Sequence, residues 1–334
     1  MPLNPKAKLN PDLLDKAKIK MAPIRDGYGE GLVKLGEEDP RVVVLCADLT
    51  ESTRSLPFKQ KFPERFIQMG VAEQNMATVA SGLANYGKIP FISSYAVFSP
   101  GRNYEQIRTT CALNNVPVKI AGAHAGISVG PDGATHQALD DVAIMRVMPR
   151  MTVLVPCDAI EARKATIAAG KIPGPVYIRF GREKSPLFTT DETPFDIGKA
   201  HIFWDGIAGK KLDLAIVASS QLVWNALLAA SELEKEGISV RVINNPSVKP
   251  IDKEILIAAA KDAGAMVTVE EHQVAGGMGS AVAEVLAKNY SVPIEFIGVQ
   301  DRFGESGEAY ELIEAFGMGV KNILEAAKKV IKRK

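Results

Sequence analysis

Cysteine and histidine are both scarce in this chain, three and four residues out of 334. Cys46, Cys111 and Cys157 lie far apart, are odd in number and sit in apolar or small-residue surroundings. They form no disulfide framework and read as reduced packing residues, which fits a cytoplasmic protein. No Cys/His spacing suggests zinc, so no metal site is expected on this chain. A surplus of one charge is missing too. Forty Lys and Arg against 39 Asp and Glu leave a net charge of +1, so no basic field advertises nucleic acid or a membrane surface. No uninterrupted apolar run is long enough to cross a bilayer. The longest apolar region, residues 212–230, is broken by Ser219, Ser220, Gln221 and Asn225 and reads as a strand followed by a helix. The lysine-bearing N-terminus has no apolar core and does not read as a signal peptide. Internal repeats and low-complexity tracts are also lacking.

What is present is an ordinary globular composition, 46% hydrophobic and 24% charged, on a chain with room for two domains. Residues 1–22 read as an N-terminal arm that packs on a partner or stays mobile. From Arg25 onward, helical spacing alternates with short continuous Val/Ile runs. Strands are expected at residues 42–46, 89–93, 116–121, 152–155 and 175–180, with helices between them. Continuous apolar runs with intervening helices predict a mostly parallel sheet covered on both faces. Residues 186–211, rich in Pro, Thr and Gly, read as a linker. A second αβ pattern follows, with strands at 212–218, 238–243, 265–269 and 293–297 and a last amphipathic helix at 320–331. The expected fold class is therefore α/β, with two doubly wound open-sheet domains at 23–185 and 212–334.

In open α/β sheets, ligands bind beyond the carboxyl ends of the strands. Collecting polar and aromatic residues there gives Asp48 and Ser52, Tyr95 and Phe98, His124, and Arg179 and Arg182. Two of the four histidines, His124 and His136, share one Gly-rich loop with Asp132 between them. Gly126, Gly130 and Gly133 let that loop turn back and bring both imidazoles to one pocket. Taken alone, each histidine also reads as a hydrogen-bonded structural residue. Arg25, Ser52, His124 and Arg182 together could hold a phosphate through charge-assisted hydrogen bonds, or be scattered surface groups. Glu73 precedes the small-residue run 77–84 and by itself reads as a first-turn carboxylate complementing a helix dipole. Gly276-Gly277-Met278-Gly279 lacks the spacing of a dinucleotide-binding turn and reads as a tight helix entry.

Residues 47–182 nevertheless carry a family resemblance. The stretches Ala47-Asp48-Leu49-Thr50-Glu51-Ser52, Met69-Gly70-Val71-Ala72-Glu73-Gln74-Asn75 and Tyr177-Ile178-Arg179-Phe180-Gly181-Arg182 resemble the pyrimidine-binding domain of transketolases. So does the long loop from Ala123 to Gln137. Residues 200–330 resemble the family's C-terminal domain. The resemblance implies thiamine diphosphate as cofactor and ketol transfer between sugar phosphates, as in the pentose phosphate pathway. It implies that Glu73 hydrogen-bonds the aminopyrimidine ring and so activates the cofactor, from a site where burial would help the carboxyl keep its proton. It also implies that Tyr95 and Phe98 pack on that ring and that Asp48 lies beside it. Arg25, Ser52, His124 and Arg182 would hold the sugar phosphate, and Asp132 and His136 would contact the hydroxyls and carbonyl near the reacting carbons. His136 is the candidate for proton transfer.

The chain departs from a complete transketolase in one decisive way. It contains no Gly-Asp-Gly, the signature of the domain that binds the diphosphate and its Mg2+ or Ca2+. The resemblance therefore implies the C-terminal subunit of a split transketolase, active only with a separate N-terminal subunit in a heterotetramer of two plus two. A second departure is Ser99-Pro100-Gly101-Arg102, where the family often has a further aromatic or a different basic residue. Two related alternatives are a 1-deoxyxylulose-5-phosphate synthase-like subunit and a 2-oxoacid dehydrogenase E1 beta-like subunit. His124 speaks against the first and the His…Asp…His loop against the second. A non-catalytic scaffold or regulatory subunit is the alternative from another class. Asn244-Asn245-Pro246-Ser247 and Glu270-Glu271-His272 follow expected strands without forming a complete site.

Overall fold

A computed structural model describes residues 3–334. Fourteen strands follow in chain order. They are β1 Met21–Pro23, β2 Val42–Cys46, β3 Phe66–Gln68, β4 Ile89–Tyr95, β5 Lys119–Ala123, β6 Thr152–Leu154 and β7 Val176–Arg179. Then come β8 Lys184–Pro186, β9 His201–Asp205, β10 Leu214–Ala218, β11 Val240–Asn244, β12 Ser247–Lys249, β13 Met266–Gln273 and β14 Ile294–Val299. The larger sheet runs β12-β6-β7-β5-β4-β2-β3, and the smaller runs β14-β13-β10-β11-β9. In these two sheets pairing is parallel throughout except at two edges, where β12 joins β6 and β9 joins β11 antiparallel. Residues of β2, β5, β7 and β10 are buried at every position, as strands covered on both faces must be.

The long apolar runs became strands and helices close to where the periodicity placed them. The differences fall where the elements are short or the contacts distant. Residues 3–19, expected as an arm, pack against the chain itself. They lie on the chain's own C-terminal half, with Leu3 bridged to Trp204 and Leu13 O accepting from Trp224 Nε1 at 2.8 Å. Ala7, Leu13 and Ile19 are buried in the cluster that contains Phe203 and Leu222. Part of the stretch read as a linker is strand β9, an edge of the second sheet. Strand β12, although late in the chain, extends the first sheet. The clip β1–β8 pairs three residues with three and ties the start of the first αβ unit to its end. Three-residue strands offer too little alternation to be seen in sequence.

The helix Ile24–Glu38, which carries Arg25, packs on the helix Ala159–Lys171 at very close range. A Cβ on Gly27 would lie 1.7 Å from Ala159 O, and one on Gly31 would lie 2.7 Å from the Thr166 side chain. These glycines set the depth at which Arg25 enters the site. We expect Gly27→Ala to destabilise the chain by about 2 kcal/mol despite a better helix propensity, because the methyl must displace backbone. Gly82→Ala is the control. It lies in the helix Glu73–Asn85 with no atom within 4 Å of the added Cβ, and should stabilise by up to about 1 kcal/mol. Urea unfolding of the two variants, compared with the native chain, measures both.

Candidate active site

Parallel pairing brings the carboxyl ends of β2, β4, β5 and β7 to one edge of the larger sheet. The register aligns Cys46 with Ser93, and Tyr95 with Ala123. The segments after these strands, carrying Asp48 and Ser52, Tyr95 and Phe98, His124, and Arg182, therefore emerge side by side.

Glu73 is the first residue of the helix Glu73–Asn85 and is 1% exposed. Its Oε1 accepts from Ser94 Oγ at 3.2 Å and its Oε2 from Arg102 Nη1 at 3.0 Å. Asn103 Nδ2 donates to the Glu73 carbonyl at 3.1 Å. Arg102 is half exposed, and its guanidinium carbon lies 4.8 Å from the Phe98 ring centre. Phe98 stacks with Tyr95 at 6.3 Å and 21° and meets the His136 ring edge-on at 5.5 Å. Tyr95 in turn stacks on His124 at 3.9 Å. His124 Nε2 is 3.2 Å from Arg25 Nη1, which also donates to Ser52 O at 2.8 Å. An unbroken series of contacts thus leads from the buried carboxylate, along an aromatic wall, to a cluster of arginines.

The arginine end is a cavity of about 370 Å3 lined by Arg25, Glu51, Ser52, Arg54, Tyr95, His124, Asp132 and Arg182. Arg182 donates to Val129 O at 2.8 Å, and its guanidinium lies 3.9 Å from the Asp132 carboxylate. Arg54 is held by Asp26. His124 is 2% exposed, and burial, followed by the field of Arg25, Arg182 and Arg54, pushes it down to about 3. It is therefore neutral at physiological pH. Because Arg25 can only donate, His124 Nε2 accepts and the proton sits on Nδ1. His124 Nδ1 and Arg25 Nε are buried without partners. Burial also lowers Arg25, and Arg54 and Arg182 add to that effect. Positive charge converging on a neutral imidazole, with two orphaned polar atoms beside it, suits an anionic group.

Of the ten residues given a cofactor or substrate role from the sequence, nine fall on this path or its cavity. Asp48 does not. It is exposed at the end of β2, with its backbone N–H donating to Gln68 Oε1 at 2.9 Å, and no contact joins it to the others. Sequence reading passed over Arg54, Ser94 and Asn103. Ser94 and Asn103 carry no signal of their own, because only the close approach of β4 and residue 103 to Glu73 gives them partners. Arg54 stands two residues from Ser52 and was findable by that proximity. Arg102 was visible as a departure from the family, but its ion pair with Glu73 was not. Among the described residues, no group of three or more His, Cys, Asp or Glu side chains could hold a metal ion. None of their helices is long and apolar enough to cross a membrane.

Fold and cleft together define a two-unit, doubly wound α/β protein with a candidate site along the carboxyl edge of its larger sheet. Two family models match it: the transketolase pyrimidine-binding domain over residues 20–186 and the transketolase C-terminal domain over residues 207–323. The chain belongs to the transketolase family. It is 44% identical to a C-terminal section assigned to transketolase in Methanocaldococcus jannaschii, over 92% of this chain and 96% of that one. It is 40% identical to a 6-deoxy-6-sulfo-D-fructose transketolase subunit of a Clostridium species, over 96% of this chain and 98% of the other. The structure of a split-gene transketolase, described as an inactive β4 tetramer, superposes with a TM-score of 0.86 at 45% identity. That match covers 93% of this chain and 99% of the other. By contrast, the matched region is 49% of mouse transketolase-like protein 2, at 36% identity and over 93% of this chain. The chain thus matches separate transketolase subunits over nearly their whole length and about half of the mouse protein.

His124 gives the site a measurable pH signature. The unfolded chain takes up a proton at this position as pH falls through about 6.5, whereas the folded chain resists until about 3. Between those values the folded state loses up to about 1.4 kcal/mol per pH unit on account of this one group. We expect His124→Asn to be less stable than the native chain at pH 7. The gap should narrow steadily as pH falls from 6.5 towards 4. Denaturant titrations at a series of pH values provide the comparison, and a gap independent of pH would refute the assignment of a buried neutral imidazole.

Proposed function

We propose that the chain supplies the pyrimidine-binding and substrate-binding half of a thiamine-diphosphate-dependent transketolase. In this reading it transfers a two-carbon ketol unit reversibly from a ketose phosphate to an aldose phosphate. The observation that carries the reading is the continuous contact path from the buried Glu73 carboxylate, past Phe98, Tyr95 and His136, to the pocket of Arg25, His124 and Arg182. The path joins a carboxylate and flat aromatic surface, which suit an aminopyrimidine, to a cationic pocket, which suits the phosphate of a sugar. Relatives named as transketolase subunits support it, among them one of Phocaeicola vulgatus, named for apulose-4-phosphate, at 34% identity.

When bound, thiamine diphosphate supplies a nucleophilic carbon that carries the two-carbon fragment. The residues of this chain do the rest. Glu73 hydrogen-bonds the pyrimidine, while Tyr95 and Phe98 cover its face. The residues present fit that half of the cofactor, because a buried carboxyl group lies at the end of a near-parallel aromatic pair. Arg102 now engages Glu73 Oε2 and must yield this oxygen or share it. Its half-exposed side chain has solvent to turn into. His136 moves a proton at the substrate oxygen and Asp132 orients the hydroxyls. Arg25, Ser52, His124 and Arg182 hold the phosphate, with His124 neutral. Asp48 lies apart in this chain, and we keep it as a residue beside the cofactor only in the assembled enzyme. A separate N-terminal subunit would bring the diphosphate site with its Mg2+ or Ca2+, in an assembly of two plus two.

The test is reconstitution. Alone, the purified chain should bind thiamine diphosphate weakly and turn over no sugar phosphate. Adding a separate N-terminal subunit should restore both. In the complex, Glu73→Gln should lower kcat by roughly a hundredfold or more, the scale of a lost acid–base contact. Strong turnover by the isolated chain would overturn the split reading, and full activity of Glu73→Gln would leave a scaffold. Parallel assays with a ketose phosphate, 6-deoxy-6-sulfofructose, and pyruvate plus glyceraldehyde phosphate separate ketol transfer from the two alternative thiamine chemistries.

A further inference from the structure

The loop of residues 126–137 carries Asp132 and His136, yet it is not braced by its own domain alone. Ser128 N donates to Glu271 Oε1 at 2.6 Å, and Glu271 lies within β13 of the second sheet. Glu271 Oε2 accepts from Gln221 Nε2 at 2.9 Å. Glu271 is 1% exposed, so its two carboxylate oxygens spend their hydrogen bonds on one loop amide and one side chain of the C-terminal half. The Glu271 backbone is tied back in turn. Arg179 Nη2 donates to Glu271 O at 2.7 Å, while Arg179 Nε donates to Asp141 Oδ2 at 2.8 Å, both inside the core. A second tie closes the far end of the loop, where Gln137 Nε2 donates to Glu305 O at 2.8 Å.

Glycine positions show how tightly the loop is seated. A Cβ on Gly126 would lie 2.3 Å from Glu271 Oε1, and one on Gly133 would lie 2.4 Å from Ser306 Oγ. A Cβ on Gly304 would lie 1.6 Å from Gln137 Oε1. Both halves of the chain have therefore given up side chains where the loop meets the C-terminal wall. Gly126 and Gly133 also have positive φ, which fixes the turns on either side of residues 127–132.

We propose that Glu271 is a positioning residue: through the Ser128 amide it holds the 126–137 loop so that Asp132 and His136 face the substrate pocket, and this brace is a principal task of the C-terminal domain. The proposal rests on the reading that these two residues meet the substrate, and it gives the Glu270-Glu271-His272 stretch a role other than ligand binding. Glu270 and His272 serve nearby backbone. Glu270 accepts from the N–H groups of Met278 and Gly279 at the start of the helix Met278–Asn289, and His272 Nε2 accepts from Ala143 N at 3.3 Å.

Hydrogen exchange on the full chain, followed by mass spectrometry, tests the brace directly. In Glu271→Ala, peptides spanning 126–137 should exchange at least roughly tenfold faster, while the helix Glu73–Asn85 keeps its protection. Glu271→Gln should stay within about twofold of the native chain, because its carbonyl still accepts from Ser128 N and Gln221 can turn its amide. Should Glu271→Ala not fold, Gln221→Leu, which removes the donor that holds Glu271 Oε2, should show the same loop-selective gain. Unchanged exchange in the loop, or a rise spread evenly over both domains, would overturn the proposal. In the reconstituted enzyme, Glu271→Ala should raise KM for the ketose phosphate about tenfold and leave half-saturation by thiamine diphosphate unchanged. An equal rise in both would mark Glu271 as merely structural. Exchange is read on the chain by itself, so a complex that showed no ketol transfer would sink the functional reading and leave the loop result standing.

Discussion

Parallel hydrogen bonding among β2, β4, β5 and β7 is the constraint on which the rest of the site depends. Parallel strands end on the same edge, so segments more than a hundred residues apart in the chain emerge together. Tyr95 and His124 can stack at 3.9 Å only because Tyr95 pairs in register with Ala123. Slipping that register by one residue would turn Tyr95 to the opposite face and separate the aromatic wall from the arginines. The close glycine contact between the helices Ile24–Glu38 and Ala159–Lys171 adds the third dimension, since it decides how near Arg25 comes to His124.

Electrostatics divides the cleft into two environments. At one end a single buried carboxylate meets one half-exposed guanidinium. At the other, three arginines surround an imidazole that burial and their charge keep neutral. Between them the rings of Phe98, Tyr95 and His136 make a surface with little charge. Such a division suits a ligand pair with a flat heterocycle at one end and an anion at the other, which is the chemistry that the proposed function requires. The Arg102–Glu73 ion pair has a consequence in the same terms. A buried carboxylate without a partner is costly, and Arg102 satisfies it in this chain by itself.

The two αβ units are not beads on a string. β12 of the later half completes the earlier sheet, the N-terminal arm lies on the later half, and Glu271 reaches into the loop that bears His136. The contacts around the loop are hydrogen-bonded, with Arg179, Asp141 and Glu271 all essentially buried. Removing one partner from such a network leaves the others unsatisfied, so the geometry of the loop and the packing of the two units rise and fall together.

Sequence alone was enough for the α/β class, the order of the long elements and most residues of the cleft. Continuous apolar runs such as 42–46 and 214–218 mean buried parallel strands wherever they occur, and ligand-binding residues follow strand ends. The motifs around Glu73 and His136 then pointed to the family without any knowledge of distances. Tertiary structure decided the rest. Strands of three residues such as β3 and β12 have no pattern long enough to read. The fate of residues 3–19 depended on an apolar surface presented by residues two hundred positions away. The ion pair of Arg102, the inclusion of Arg54, the isolation of Asp48 and the brace from Glu271 are facts of distance. A sequence names the side chains that can form a hydrogen bond, but only the packed chain decides which of them come within about 3 Å of each other.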